Sequence, residues 1–281
     1  MKIGALSMSL RQPLPETIIA YRQMGLEGIQ LEVTPEILSA FPDRLLQLRH
    51  MCREHGLEIS ALCGDIGRTH FSIENQYRDR VALHCRVVDV AVHLGTKVVT
   101  THIGVIPEDK NDPVYAMMAK SIRMAAEYSA AHGVVFAIET GPETAEILRA
   151  FIEDVDSAGL GVNLDPANLR MVSCVEPDHA VKVLGKYIVH THAKDGINLQ
   201  PGSAAANYGI FEPDGTKRKF AEQPAKFKEV PLGQGQVDWD KYLAALKSVG
   251  FDGFLTIERE CGDSPAEDIQ LAVDFLRNKL I

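Results

Sequence analysis

Six apolar segments of the chain each end in a residue that could bind a metal ion or transfer a proton. The segments span 28–32, 98–102, 134–139, 161–165, 188–192 and 253–258, and their last residues are, in order, Glu32, His102, Glu139, Asp165, His192 and Glu258. Side chains of a strand point alternately to two faces, so Glu139 shares a face with Ala137, and Ile138 lies on the other face. The pattern predicts strands that end in chemically active side chains, and together these ends indicate an active site.

Four of these end residues form a suitable ligand set for a divalent cation. They supply three carboxylates and one imidazole, from Glu139, Asp165, Glu258 and His192. This hard, mostly oxygen set favours one Mn²⁺ or Mg²⁺ ion, with Zn²⁺ and Co²⁺ as alternatives. Any one of these residues alone could form an ordinary salt bridge at the mouth of a barrel. The presence of all four at strand ends predicts a metal site.

The elements that must position these residues alternate along the chain. Strands are predicted at 2–6, 28–33, 57–63, 97–103, 134–140, 160–165, 187–193 and 253–259. Helices are predicted at 15–25, 42–55, 75–94, 113–132, 143–156, 177–185, 238–249 and 265–279. Eight βα units in 281 residues predict the α/β class, with one (β/α)8 TIM-barrel domain over 1–281 rather than a doubly wound sheet. The first strand is not followed by a Gly-rich phosphate loop, which disfavours a dinucleotide-binding fold.

One segment interrupts the alternation. Residues 196–236, with many Gly, Pro, Ala and Lys residues, follow the seventh predicted strand as a βα loop far longer than usual. Its position after the strand that carries His192 predicts a lid over the active site. A disordered surface insertion and an oligomer interface are the alternatives.

Composition and charge narrow the class of partner. The formal net charge is −9, without a run of lysines and arginines, so a nucleic acid or an anionic membrane is not expected as a partner. The five cysteines are odd in number and lack CxxC spacing, which favours a reducing cytoplasm over a disulfide framework. A secretory signal pattern and an apolar run of ~20 residues are both missing. We therefore expect a soluble, cytoplasmic protein that acts on a small polar molecule, with a homo-oligomer left open.

Beyond these patterns, the sequence resembles the xylose isomerase-like TIM barrels, which include sugar epimerases, isomerases, inosose dehydratases and abasic-site endonucleases. The resemblance covers nearly the whole chain and is carried by residues 137–140 (AIET), 163–168 (NLDPAN), 190–195 (HTHAKD), 230–239 (VPLGQGQVDW) and 253–260 (GFLTIERE). In the epimerase and isomerase branches, the matching residues hold one divalent metal ion. The resemblance thus implies that a single ion is bound by Glu139, Asp165, His192 and Glu258.

The endonuclease branch is a poorer match to this chain. That branch needs three metal ions, with a histidine three residues after the sixth-strand aspartate and an Asp-x-His shortly before the Gly-x-Gly stretch. Here the first position is Asn168, and residues 227–231 read FKEVP. A trinuclear site is therefore not expected, and the negative net charge also disfavours DNA as a substrate.

A single metal ion beside two glutamates suits the chemistry of carbon acids. A cation that binds a carbonyl oxygen stabilises the enediolate formed when a neighbouring proton is removed. If Glu139 and Glu258 approach from opposite faces, one removes the proton and the other returns it, which predicts an epimerase or isomerase of a sugar or keto-sugar. Loss of a β-hydroxyl would instead make a lyase or dehydratase on an inosose-like or 3-keto-sugar substrate. A non-catalytic sugar-binding protein is the remote alternative.

Three candidates for substrate binding lie near the last two barrel strands. His190 and Lys194 lie two residues before and after His192, so they share its face of the strand and are expected to point into the barrel mouth. Lys194 would bind a substrate oxygen or form a salt bridge with Asp195. Glu260 lies just beyond the eighth strand, where it would contact the substrate or the long loop.

Four further candidates lie at other strand ends and loops. Glu32 and His102 would hydrogen-bond sugar hydroxyls or pack as satisfied polar residues. Asn168 would orient a ligand residue or cap the next helix, and His70 lies in a loop of the active face. Histidines inside the helical patterns, His84 among them, are predicted to face solvent.

Overall fold

The strands of the computed structural model, which describes residues 1–280, close into one barrel of eight parallel strands. The strands in chain order are β1 (Lys2–Leu6), β2 (Gly28–Glu32), β3 (Glu58–Cys63), β4 (Val98–Thr101), β5 (Val135–Glu139), β6 (Leu160–Leu164), β7 (Ile188–Ala193), β8 (Asp195–Gln200), β9 (Lys226–Val230) and β10 (Phe254–Ile257). β8 and β9 form a separate hairpin, and β10 closes the barrel between β7 and β1. The predicted (β/α)8 barrel is confirmed.

Residues 1–280 form eleven α-helices, of which the eight longer ones cover the outside of the barrel. They are α1 (Leu14–Gln23), α2 (Pro35–Leu38), α3 (Pro42–Glu54), α4 (Tyr77–Leu94), α5 (Pro113–Ala131), α6 (Ala145–Val155), α7 (Pro166–Asn168), α8 (Pro177–Leu184), α9 (Ala204–Tyr208), α10 (Trp239–Ser248) and α11 (Pro265–Leu280). Every predicted strand and helix is present, with ends that differ by at most two residues. The short α2, α7 and α9 were not predicted, because one turn is too short to show a helical period. Between residues 1 and 280, no helix is long and apolar enough to cross a membrane.

Capping residues fix where the outer helices begin and end. The Asp112 carboxylate accepts a hydrogen bond from the N–H of Val114 at the start of α5, 2.9 Å away. α4 ends at Gly95, whose φ of 78° lies in the left-handed region that glycine tolerates. Because a helix that follows a parallel strand runs back along it, each outer helix begins near the strand ends where the site residues lie.

The apolar layer between strands and helices includes one histidine. His84 of α4 is 1% exposed, its ring centroid lies 4.1 Å from that of Phe136, and its Nε2 lies 3.0 Å from Ser129 Oγ. The prediction that His84 faces solvent is therefore wrong, because its side of α4 packs on β5. Burial lowers the pKa of His84 to about 3, and the charge of Arg80 adds to this effect. His84 is a neutral core residue.

The segment after β7 is an ordered insertion rather than a structureless loop. β8 and β9 pair antiparallel, with Asp195 opposite Val230 and Gln200 opposite Lys226, and α9 lies between them. This corrects the single long loop predicted at 196–236. The two strands satisfy each other's backbone groups, which gives the segment its own secondary structure.

Polar contacts attach the insertion to the barrel at two places. The Asp195 carboxylate accepts hydrogen bonds from the Gly233 N–H and from Trp239 Nε1, both at 3.0 Å, and so joins the two ends of the insertion. Between β8 and β9, Arg218 lies 2.8 Å from Asp112 at the start of α5. The insertion therefore has a defined position above the barrel mouth.

Candidate metal centre

Four strand ends bring acidic and imidazole side chains to one point at the carboxyl-terminal mouth of the barrel. Glu139 is the last residue of β5, His192 lies near the end of β7, and Asp165 and Glu258 directly follow β6 and β10. One ligand atom of each residue lies within 4.8 Å of those of the other three. The structure thus brings together the four residues that the sequence predicts as metal ligands.

His192 lies at the centre of this cluster. Its Nδ1 is 3.0 Å from Glu258 Oε2, 3.4 Å from Glu139 Oε1 and 3.5 Å from Asp165 Oδ2. Its Nε2 is 3.1 Å from Oε1 of Gln30, an amide oxygen that can only accept a hydrogen bond. The Gln30 oxygen favours the neutral ring with its proton on Nε2, although Asn163 Nδ2 also lies 3.2 Å from this atom. In that tautomer Nδ1 presents its lone pair to the cluster.

Burial and charge at the cluster fit a bound cation. Glu139 is 4% exposed and Asp165 is fully buried. Because little water screens their charges, the two carboxylates repel each other strongly. Burial would lower the pKa of His192, but Glu258 and Glu139 raise it well above its ordinary value. Oδ2 of Asp165 is buried without a hydrogen-bond partner. The unpartnered oxygen and the excess negative charge suit a divalent ion with three oxygen ligands and one nitrogen ligand.

Asp165 and Asn168 orient the ligand atoms from the α7 side. Oδ1 of Asp165 accepts a hydrogen bond from the Asn168 N–H at 2.8 Å and caps α7, which leaves Oδ2 for the cluster. Asn168 donates from Nδ2 to Glu139 Oε1 at 3.1 Å and also lines the cavity above the site. Asn168 was predicted either to orient a ligand residue or to cap a helix. In the structure it contacts Glu139, and Asp165 is the residue that caps α7.

A polar layer supports the cluster from inside the barrel. Asn163 donates from Nδ2 to Glu139 Oε2 at 3.2 Å, and its Oδ1 lies 2.9 Å from His190 Nδ1. The other ring nitrogen of His190 lies 3.0 Å from Thr256 Oγ1. Both nitrogens are used and His190 is 1% exposed, so it does not reach the cavity. His190 was predicted to contact the substrate. In the structure it instead contacts Asn163, which in turn holds Glu139 in place.

Lys194 pairs with two glutamates at the end of β10. Its Nζ lies 3.0 Å from Glu258 Oε2 and 2.6 Å from Glu260 Oε2. The alternative partner, Asp195, is bonded within the insertion instead. Burial disfavours the charged ammonium, but Glu258 and Asp165 outweigh it and raise the pKa of Lys194 well above its usual value. A positive charge is therefore fixed beside Glu258.

A second positive group, His102, flanks Glu139. Asp65 accepts hydrogen bonds from the His102 N–H at 2.8 Å and from its Nδ1 at 2.6 Å, and Nε2 lies 3.6 Å from Glu139 Oε1. The His102 side chain is partly exposed, and the neighbouring carboxylates outweigh the partial loss of water around the ring. Glu139 and Asp65 thus raise the pKa of His102 to about 10. The sequence prediction missed Asp65, although an acidic residue two positions after the apolar strand β3 is a signal of the same kind as the other strand ends.

The cluster lies at the bottom of a cavity of about 790 Å³. One side consists of site residues predicted from the sequence, namely His102, Glu139, Asn168, Lys194, Glu258 and Glu260. The other side comes largely from the insertion and from the turn after β6. The arrangement leaves room for a small molecule between the metal-binding side chains and the hairpin.

Two predicted substrate contacts lie away from this cavity. Glu32 is half-buried at the end of β2, where its backbone N–H donates to Ser7 Oγ at 3.0 Å. His70 packs on Phe211, 4.5 Å between ring centroids, and lines an adjoining cavity with Tyr208. Tyr208 also lines the main cavity. It was missed because α9 is a single turn inside a segment read as a loop.

The chain belongs to the xylose isomerase-like TIM barrel family, whose model matches residues 18–279. Two curated relatives are uncharacterized proteins, one from Methanocaldococcus jannaschii (23% identical over 188 residues) and one, YfiH, from Bacillus subtilis (28% over 144 residues). These matches cover 62% and 50% of the chain but 54% and 42% of the relatives. The chain thus spans about half the length of the curated relatives it matches.

Solved structures share the fold at low sequence identity. A xylose isomerase domain protein from Planctomyces limnophilus has a TM-score of 0.78 at 24% identity, over 99% of this chain and 96% of that one. The probable 3-DHS dehydratase AsbF from Bacillus anthracis has 0.77 at 20% identity, over 99% of both chains. The 3-keto-D-glucoside 4-epimerase YcjR from E. coli has 0.72 at 15% identity, also over 99% of both. These likenesses show the fold alone.

Proposed function

We propose that this protein is a metal-dependent isomerase or epimerase of sugars or keto-sugars, which removes a proton next to a carbonyl and forms an enediolate. One observation carries the proposal: three carboxylates and one imidazole converge within 4.8 Å at the bottom of a cavity. The shared fold of the E. coli 3-keto-D-glucoside 4-epimerase supports a sugar as the class of substrate.

The four strand-end residues Glu139, Asp165, His192 and Glu258 would hold one divalent ion. Mn²⁺ or Mg²⁺ is favoured because oxygen ligands predominate, and Zn²⁺ and Co²⁺ are the alternatives. The ion would supply Lewis acidity, stabilising the negative charge that develops on the substrate oxygens. Asn163 and Gln30 keep Glu139 and His192 in place below it.

Glu139 and Glu258 would carry the proton. Each has its own cationic neighbour, since His102 lies beside Glu139 and Lys194 beside Glu258. One glutamate takes the proton from carbon on one face, and the other returns a proton on the opposite face, which inverts the centre. Return of the proton to the adjacent carbon would instead isomerise the sugar. Lys194 would also donate a hydrogen bond to a substrate oxygen at the cavity wall.

A lyase or dehydratase on an inosose-like or 3-keto-sugar substrate is the second candidate. It would start with the same proton removal and end with loss of a β-hydroxyl. The same fold in the probable dehydratase AsbF supports this alternative. A sugar-binding protein without activity would retain the cavity and show no turnover.

Deuterium incorporation from heavy water tests the proposal across a panel of ketoses, inososes and 3-keto-sugars. We expect incorporation next to the carbonyl of at least one compound, with loss of the exchange after treatment with chelator. Product analysis then separates epimerisation, isomerisation and elimination. Absence of exchange in the whole panel with Mn²⁺, Mg²⁺, Zn²⁺ or Co²⁺ added would contradict proton abstraction.

We also propose a class of binding partner and a cellular compartment for this protein. A sugar or polyol is the expected partner, because a net charge of −9 suits neither nucleic acid nor an anionic membrane. The cysteines Cys52, Cys63, Cys85, Cys174 and Cys261 are free, which fits the cytoplasm. Light scattering will determine whether copies of the chain associate into a homo-oligomer.

A further inference from the structure

The cavity above the metal centre has one polar wall and one apolar wall. The polar wall carries two of the predicted metal ligands, Glu139 and Glu258, together with His102 and Lys194. The apolar wall comes from the turn after β6, from α9 and from the hairpin, and its residues are Met171, Tyr208, Phe227, Val230 and Pro231. A sugar ring held at the metal centre would contact the polar wall.

Two aromatic side chains of the apolar wall are open to the cavity. Phe227 is 40% exposed and Tyr208 is 41% exposed. A single exposed apolar residue is ordinary, but two aromatic rings that line one concave site offer area for a ring-shaped apolar group. The apolar wall therefore has the properties of a binding surface.

Tertiary contacts hold the apolar wall in place. Asn198 of β8 donates from Nδ2 to the Met171 carbonyl at 2.6 Å. Gly196 packs directly against the Met171 thioether, which would have to move to make room for a side chain at position 196. On β9, the buried carboxylate of Glu229 pairs with Arg259, the second residue beyond the end of β10. These contacts fix Met171 and the end of β9 before a ligand binds, which lowers the cost of ordering this part of the wall.

The charged groups of the cavity favour a neutral ligand. Among residues 1–280 the basic side chains that line it are His102, Lys194, Lys228 and Arg259. His102, Lys194 and Arg259 each lie beside two carboxylates. The fourth, Lys228, is exposed on β9. Recognition of a phosphate group needs free cationic donors that converge on it. The apolar wall therefore suits an uncharged group rather than a sugar phosphate.

The volume of the cavity agrees with a ligand larger than one sugar ring. At about 790 Å³ it lies in the upper half of the ~300–1,000 Å³ range of small-molecule sites, which enclose ligands of drug size. A ligand that extends from Glu258 to Phe227 would contact both walls.

We infer that the substrate is a neutral keto-glycoside, whose sugar ring lies at the metal centre and whose aryl or similarly apolar aglycone packs on Phe227 and Tyr208. This inference rests on the proposed function, which places the sugar carbonyl at Glu139 and Glu258. Phe227 is then a residue that determines specificity. It contacts the aglycone and takes no part in proton transfer.

Simple glucosides test the aglycone site without turnover. In calorimetric titrations, phenyl β-D-glucopyranoside should bind at least about tenfold more tightly than methyl β-D-glucopyranoside, because only the phenyl group buries apolar area against the wall. Phe227→Ala should remove most of this preference. Leu199→Ala is the matched control, since Leu199 is 64% exposed on the same hairpin and does not line the cavity. That variant should keep the preference.

Three binding results would overturn the inference: equal affinity of wild-type protein for the two probes, failure of both to bind, or a phenyl preference that survives in Phe227→Ala. Tighter binding of glucose 6-phosphate than of the phenyl glucoside would also overturn it. Deuterium exchange into the phenyl and methyl 3-keto-glucosides separates this failure from that of the proposed function. Exchange into both at equal kcat/KM leaves the function standing and contradicts the aglycone site, whereas no exchange into any keto-sugar contradicts the function.

Discussion

At the residue scale, two glutamates have to bind the metal ion and also move a proton. Glu139→Gln and Glu258→Gln preserve the size of the side chain but remove the base. We expect each variant to lose at least about a hundredfold in kcat, the usual size of a general-base contribution, while it still binds Mn²⁺. The measurement is kcat on the substrate identified by exchange, together with the metal content of each variant.

Glu36→Gln is the matched control for these variants, because Glu36 is exposed on α2 and belongs neither to the cluster nor to the lining of the cavity. It should turn over at the wild-type rate. If either site variant did so as well, the mechanism with two carboxylates would be wrong.

The buried His84 should make the stability of the fold depend on pH. Its pKa is about 3 in the folded protein and about 6.5 in an unfolded chain, so between these values the unfolded chain binds the additional proton. The free energy of unfolding should therefore fall as the pH decreases below about 6.5, by up to ~1.4 kcal/mol per pH unit from this residue. Urea unfolding between pH 7 and pH 4 measures this dependence.

His84→Gln should show a shallower pH dependence than the wild-type protein. His93→Gln changes an exposed histidine on the same helix and should follow the wild-type curve. If the free energy of unfolding had the same pH dependence in the wild type and in His84→Gln, burial of this ring would not contribute to that dependence.

Strand parity predicted which side chains face the barrel interior, but not how deep each one lies. His190 and His192 share a face of β7, yet two residues advance a strand by about 6–7 Å, and this places His190 below the cluster. Gln30 was missed because a polar residue inside an apolar segment resembles a packed residue. Its contact with His192 depends on barrel closure, which no local pattern reveals.

At the element scale, the alternation of strand and helix patterns was sufficient to predict the barrel. The hairpin of β8 and β9 was not predictable in the same way. Both strands are short and rich in polar residues, and residues 201–225 separate them, so the sequence carries no two-residue turn signal between them. The length of the insertion was visible, whereas its pairing depends on contacts that are distant in sequence.

Replacement of residues 201–224 with a short Gly-Ser connection tests the lid hypothesis and leaves β8 and β9 in the chain. The barrel should fold and bind Mn²⁺, because the four ligand residues lie on barrel strands. We expect kcat to fall and KM to rise, because the change removes Tyr208 and opens the cavity to water. Steady-state kinetics provide the measurement, with metal binding as the check of folding.

Light scattering of the same truncated protein separates a lid from an oligomer interface. An interface built from this segment would change the subunit count while each folded subunit kept its KM. Unchanged kinetics after truncation would rule out a lid.

At the scale of the whole molecule, closure of the barrel turns distant residues into one site. β7 pairs with β6 on one side and with β10 on the other, so Asp165, His192 and Glu258 come from three adjacent strands, and Glu139 comes from the next one. The βα pattern and the strand-end residues were enough to predict this set. The type of divalent ion was not predictable, because three carboxylates and one imidazole accept several ions of similar size.

Calorimetric titration of chelator-treated protein with Mn²⁺ tests most directly whether the four strand-end residues bind one divalent ion. We expect one ion per chain and, at a free ion concentration of 100 times Kd, a stabilisation of about 2.7 kcal/mol. His192→Ala should weaken the affinity by more than the ~10–100-fold usual for residues that only support a ligand, whereas the exposed control His93→Ala should not change it. A wild-type protein that binds none of Mn²⁺, Mg²⁺, Zn²⁺ and Co²⁺, or unchanged affinity in His192→Ala, would contradict the metal centre.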